Sequence, residues 1–288
     1  MLVPLKELLE DADKHRYAVG SFNTPNLETL RAVVAAAEET GRPVTLNHAQ
    51  PHEAVIPVEE IAPLMLKYAR ESKVPMSVHI DHGQTELFVN KAVRLGFTSI
   101  MYDCSGLPFE ENVRRVKAFV DMVHPLGITV EAELGQMLLN TADGGSEDGN
   151  TKADFYTDPQ QAATFCELTG VDALAITFGT VHGVYDTPPT LDIERLKEIR
   201  EKVDGRAALV MHGGSGTPAD QVKEAVLNGI RKINYFSAMD VAPAPELLKT
   251  IQKAEGKPVH YADLSFMVTQ IIREKCIEAI KMFESVRL

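Results

Sequence analysis

The chain has 288 residues, 44% hydrophobic and 24% charged, the balance of a globular protein with a large buried core and none of the composition of a disordered one. Its net charge of −12 argues against nucleic acid or an anionic membrane as the main partner, because both require a basic footprint. No run reaches the roughly 18 to 20 apolar residues of a membrane span, and the opening segment carries acids where a secretory signal would be basic and then apolar. The cytoplasm is the expected compartment. Cys104, Cys166 and Cys276 lack CxxC spacing and lie in apolar-patterned segments, so they read as buried free thiols.

In chain order, residues 2–15 read as a leading helix. Eight short β-branched or apolar runs then follow, at 18–23, 43–49, 75–81, 99–105, 129–135, 173–179, 207–213 and 232–238. Amphipathic helical segments separate them, among them 27–41, 57–73 and 108–127, several closed by glycine where a helix C-cap is expected. The long segment 136–156 has no periodicity of its own and precedes a helix that starts near residue 158. A long helix over 261–286 follows the eighth unit. Strict βα alternation demands a parallel sheet, and eight units in this length favour closure into an α/β fold of the (β/α)8 barrel type, with an additional C-terminal helix and one domain over 1–288.

A barrel of this kind builds its site at the C-terminal strand ends, and polar residues concentrate there. Strand 3 ends in His79, Asp81 and His82, strand 4 in Asp103, strand 5 in Glu131 and Glu133, and strand 6 runs on to His182. Strand 7 ends in His212 followed by Gly213, Gly214, Ser215 and Gly216, and strand 8 carries Asn234 to Ser237. Three histidines brought to one rim suit a zinc site that keeps a position open for substrate. A turn at Gly83 would let Asp81 and His82 converge despite the alternation of a strand. Backbone N–H groups of 213–216 and 234–237 offer a local phosphate cradle. Asp81 stands where a proton-transfer group is needed, Glu133 and Asp103 are second metal partners or strand-end acids, and Glu147 or Asp148 can come over the site from the long loop. His15, His52, His124 and His260 read as structural, while His48 and His79 stay undecided.

The segments YAVGSFN, HIDHG, MYDCSGLPFEENV, VEAELG, FGTVHGVY, MHGGSG and KIN, in this order, resemble the class II, metal-dependent fructose-bisphosphate and tagatose-bisphosphate aldolases over nearly the whole chain. The resemblance implies Zn2+ held by His82, His182 and His212, with another divalent metal and a monovalent cation near the phosphate also compatible. It implies Asp81 as the acid/base on the aldehyde oxygen and Glu147 as the group that exchanges the C3 proton. Dihydroxyacetone phosphate would be bound by Gly183, Gly213, Gly214, Ser215, Asn234, Tyr235, Phe236 and Ser237, with Asn23 as a further contact, and Asp103 and Glu133 match positions of a second or displaced metal. The implied reaction is reversible cleavage of a phosphorylated ketose to dihydroxyacetone phosphate and an aldehyde through a zinc-stabilised enediolate, in a homodimer or homotetramer. Two departures bear on the substrate: strand 8 has Phe236 and Ala238 where the family has an acid or alanine and then an acid, and strand 2 has Asn47 and His48 where glutamine and serine or threonine are usual.

Three rivals remain open from the residues. A barrel hydrolase would use the same imidazoles to activate water but lacks an HxH pair on strand 1, where Ser21, Phe22 and Asn23 stand. A Schiff-base aldolase needs a lysine in the barrel mouth, and Lys232 reads as the start of strand 8. The third is an inactive metabolite-binding relative marked by Phe236 and Ala238.

Overall fold

The computed structural model describes residues 1–135, 156–180, 183 and 188–284. Its eight strands are β1 (Val19–Asn23), β2 (Val44–Ala49), β3 (Met76–Gly83), β4 (Ser99–Tyr102), β5 (Thr129–Leu134), β6 (Ala173–Ile176), β7 (Ala208–Met211) and β8 (Ile230–Tyr235). They pair in parallel in sequence order, and β8 closes on β1, so the architecture is a (β/α)8 barrel.

Helices α1 (Leu5–His15), α2 (Leu27–Thr40), α3 (Val58–Glu71), α4 (Glu86–Leu95), α5 (Phe109–Val123), α6 (Pro159–Thr169), α7 (Ile193–Val203) and α8 (Ala219–Leu227) are followed by α9 (Ser237–Val241), α10 (Pro243–Lys253) and the long α11 (Tyr261–Phe283). Their ends are written in the sequence. Asn26, Thr85, Asp158 and Asp192 each accept a hydrogen bond from a backbone N–H of the following first turn. Gly41 and Gly96 stop α2 and α4 in the left-handed region, at φ 66° and 90°, where a side chain would be strained. No described helix is long and apolar enough to cross a membrane.

Two features position the site. Leu5, Leu8, Leu9 and Ala12 of α1 pack on Val19, Ala173, Ala175 and Val210, so the leading helix closes the end from which the strands start and leaves the opposite mouth for chemistry. Between plug and mouth the barrel interior is polar: Ser21 donates to Asn47 at 2.8 Å, Ser77 to Thr45 at 2.9 Å, and Lys232 pairs with Glu131 at 2.9 Å. Buried polar groups of this kind persist only when bonded to one another, which ties the strands into a fixed register. All three cysteines are free and buried, with burial pushing the Cys104 and Cys166 thiols up to about 11 and about 12.

Several expected boundaries shift. Strands 4, 6 and 7 stop two or three residues earlier than the sequence pattern suggests, because the rim residues that follow them leave the ladder. The eighth strand lies earlier too, at Ile230–Tyr235 and not 232–238, so Ser237 and Ala238 belong to α9 and Lys232 stands inside the barrel.

Candidate active site

Asp81 and His82 reach the mouth by a device other than the expected turn. From Ile80 to Gly83 strand β3 advances three residues while β4 advances two, from Ile100 to Tyr102. This inserts one extra residue, a bulge, and His82 takes it up with φ 46° in the left-handed region. Gly83 remains in the strand. A Cβ there would lie 2.6 Å from Val89 Cγ1 and 2.8 Å from the Met101 carbonyl oxygen, so close packing is what requires glycine.

The bulge brings Asp81, His82 and His212 together, with ligand atoms all within 4.8 Å of one another. His82 Nδ1 lies 2.8 Å from Asp103 Oδ2, and His212 Nε2 lies 3.0 Å from Glu131 Oε1. Carboxylates only accept, so these nitrogens carry the hydrogens. The other two ring nitrogens, His82 Nε2 and His212 Nδ1, face each other at 3.1 Å. Two ring nitrogens this close are held together by a proton or a cation between them. Two nitrogen ligands at 2.0 to 2.1 Å on a tetrahedral zinc stand about 3.3 Å apart, so the pair fits such an ion.

Glu133 adds to this fit. It is buried, its Oε2 has no hydrogen-bond partner among the described residues, and that oxygen lies 3.6 Å from His212 Nδ1. Burial, reinforced by Asp103 and Glu131 against the pull of His82, pushes it up to about 8. Together with His82 and Asp103 it forms a second group able to offer ligand atoms to an ion. Asp103 is already engaged on both oxygens, by His82 and by the Ser105 N–H and hydroxyl, so in this arrangement it orients His82.

Asp81 is almost fully buried, and Asn234 Nδ2 donates to its Oδ1 at 2.9 Å. Burial opposes its ionisation, but His82, His212 and Lys232 outweigh burial and hold the carboxyl well below the usual range. Burial likewise opposes the charge on His82, yet Asp81 and the hydrogen bond to Asp103 raise it to about 10. Anion and imidazolium stabilise each other across 4.0 Å, and a bound cation would take over the role of that proton.

The remaining expected residues fall as follows. Asn23 ends β1 at the mouth, nearly buried. In the Gly-rich turn after β7, Gly214 N–H donates to the Asn234 carbonyl at 3.0 Å and Phe236 N–H to Ser215 Oγ at 3.1 Å. Two of the backbone donors expected for phosphate are thus spent joining the β7 and β8 loops. Gly213 has φ 67° and Gly183 has φ 106°. The Tyr235 ring lies on the outer side of the barrel, packed against Phe22 and Phe283, so any part it takes at the mouth falls to its backbone. Ser237 opens α9. His182, Glu147 and Asp148 lie outside the described residues.

His79 is a barrel-filling residue: its Nδ1 bonds Ser99 at 2.7 Å, and its ring has no exposure. His48 bonds Glu53 at 3.1 Å under the turn after β2. His52, expected to be structural, stands against the Phe236 ring at 4.9 Å between centroids, and burial lowers its imidazole against the opposing pull of Asp81 and Asp240. It belongs to the rim. Its place three residues beyond β2 was the available signal. Lys232 corrects the sequence reading: it lies inside the barrel, as a Schiff-base lysine would, but its ammonium donates to Glu131 and Asn234.

Barrel and rim together define an enzyme of the α/β-barrel class whose mouth gathers imidazoles and carboxylates around one point. The sequence pattern of the family described as Fructose-bisphosphate aldolase class-II matches residues 3–287. The YdjI aldolase of Escherichia coli K12 is 35% identical, with a TM-score of 0.85 over 99% of this chain and 98% of its own. A fructose-bisphosphate aldolase of Campylobacter jejuni, 20% identical over 98% of this chain and 95% of its own, shares the fold at a TM-score of 0.81. The chain belongs to the class II fructose-bisphosphate aldolase family and is an aldolase, a carbon–carbon lyase.

Proposed function

We propose that this aldolase cleaves a phosphorylated ketose reversibly to dihydroxyacetone phosphate and an aldehyde, with zinc held by His82, His182 and His212. The observation that carries the reading is the approach of His82 Nε2 and His212 Nδ1 to 3.1 Å, each imidazole fixed from behind by a carboxylate, beside the ionised Asp81. A divalent cation held by these residues would supply an electron sink for the negative charge left at C3 when the C3–C4 bond breaks. Asp81 removes the C4 hydroxyl proton during cleavage and returns it to the aldehyde oxygen during condensation. Its buried carboxylate is held in place by the hydrogen bond from Asn234 Nδ2. Glu147 exchanges the C3 proton, and Glu133 or Asp103 accommodates a displaced metal.

The phosphate of the substrate lies against Gly183, Gly213, Gly214, Ser215 and the 234–237 segment, next to Asn23, and is bound by backbone N–H groups other than those of Gly214 and Phe236, which tie the two loops together. One barrel domain over 1–288, acting in the cytoplasm as a homodimer or homotetramer, completes the proposal. The test is solvent exchange of the C3 proton of dihydroxyacetone phosphate in deuterium oxide. Zinc-loaded protein is expected to exchange it, chelated protein to lose exchange, and zinc or cobalt to restore it. Exchange that survives chelation, or a substrate adduct trapped by borohydride, would overturn the reading in favour of a Schiff base.

A further inference from the structure

Lys232, the third residue of β8, has no exposure, and an ammonium in that position persists only if its donors are used. Its Nζ lies 2.9 Å from Glu131 Oε2, 3.1 Å from Glu131 Oε1 and 2.7 Å from Asn234 Oδ1. We propose that Lys232 is a positioning residue that, by claiming the amide oxygen of Asn234, turns the Asn234 NH2 toward Asp81 and fixes the carboxylate at the mouth. The inference rests on the reading of Asp81 as the proton-transfer group and deepens it.

A carboxamide presents an acceptor on one side and donors on the other, and half a turn exchanges them. An ammonium has donors only, so the oxygen of Asn234 must face Lys232. An ionised carboxylate only accepts, so the NH2 must face Asp81, and Nδ2 does lie 2.9 Å from Asp81 Oδ1. Both neighbours therefore demand the same orientation, and removing Lys232 deletes one of the two demands. The same ammonium holds Glu131, whose Oε1 takes the Nε2–H of His212 at 3.0 Å and so leaves His212 Nδ1 for the centre of the site. One buried cation thus aligns, through two different intermediaries, the proton-transfer group and a metal-facing imidazole.

Lys232→Met alone strands Glu131 as a buried anion and can fail to fold. The comparison is therefore between E131Q, which keeps the ammonium on Asn234, and E131Q/K232M, which removes both charges. In the full-length zinc-loaded protein, deuterium exchange of the Asn234 side-chain amide is followed by 1H–15N correlation, the signal being assigned by its loss in N234L. Exchange is expected to be slow in wild type and E131Q, and at least about tenfold faster in E131Q/K232M. Relative to E131Q, kcat for ketose phosphate cleavage is expected to fall about 10- to 100-fold, with KM within about twofold and zinc content unchanged. Equal exchange rates in the two variants, or equal kcat, would overturn the proposal. Should the wild type cleave no ketose phosphate, the functional reading falls by itself, and the exchange comparison still decides the role of Lys232.

Discussion

His79 lies inside the barrel with no exposure, and burial, with Lys232 nearby, pushes its imidazole down to about 3. An unfolded chain protonates histidine near 6.5, so between these values the unfolded state binds the extra proton and the folded state refuses it. The stabilisation is complete above about pH 6.5 and is lost as pH falls toward 3, amounting to roughly 2 kcal/mol by pH 5. His48 and His212, both lowered chiefly by burial, act in the same direction. Glu133 and His82, both raised in the folded state, act in the opposite direction over the same range, so the check is a comparison: in urea unfolding of the metal-free protein, H79N is expected to gain stability relative to wild type as pH falls from 7 to 5. At the mouth, D81N keeps the shape and removes the charge. It is expected to retain zinc by metal analysis while kcat drops about 100- to 10,000-fold; unchanged turnover would remove Asp81 from the mechanism.

Among the elements, β3 decides whether a site exists, since a regular strand would turn Asp81 and His82 to opposite faces. The bulge depends on Gly83, and G83A would press a methyl group onto a backbone oxygen that cannot yield. The expected cost is about 1 to 3 kcal/mol by thermal or urea unfolding, with weaker zinc binding by titration as His82 moves. No period-two reading reveals such an insertion, because the apolar alternation of SVHI stops just where the extra residue enters, and a left-handed histidine leaves no mark in sequence. Strand β8 was misplaced for a related reason. Arg231 and Lys232 look like the polar edge of a strand, and only the tertiary partner Glu131, 101 residues away, makes a buried lysine tolerable. Helix ends, by contrast, are local chemistry: Asn26, Thr85, Gly41 and Gly96 announce their helices directly.

For the molecule as a whole, stability and chemistry sit at opposite ends of one barrel. Leu5 of α1 is fully buried against the strand starts, so L5A is expected to cost about 2 to 5 kcal/mol in urea unfolding while kcat and KM stay unchanged. The eightfold alternation of β and α patterns made this architecture legible, and strand-end position alone singled out His82, His212, Asp81, Asp103 and Glu133. What stayed hidden was the partnership behind them, in which Asp103 orients His82, Glu131 orients His212 and His52 joins Phe236 at the rim, because such contacts cross between distant segments. The most direct test of the whole account is anomalous diffraction at the zinc edge from zinc-loaded crystals. A single ion within about 2.0 to 2.1 Å of His82 Nε2, His212 Nδ1 and a nitrogen of His182 is the predicted result. An ion bound elsewhere, with His82 Nε2 and His212 Nδ1 bare, would contradict it.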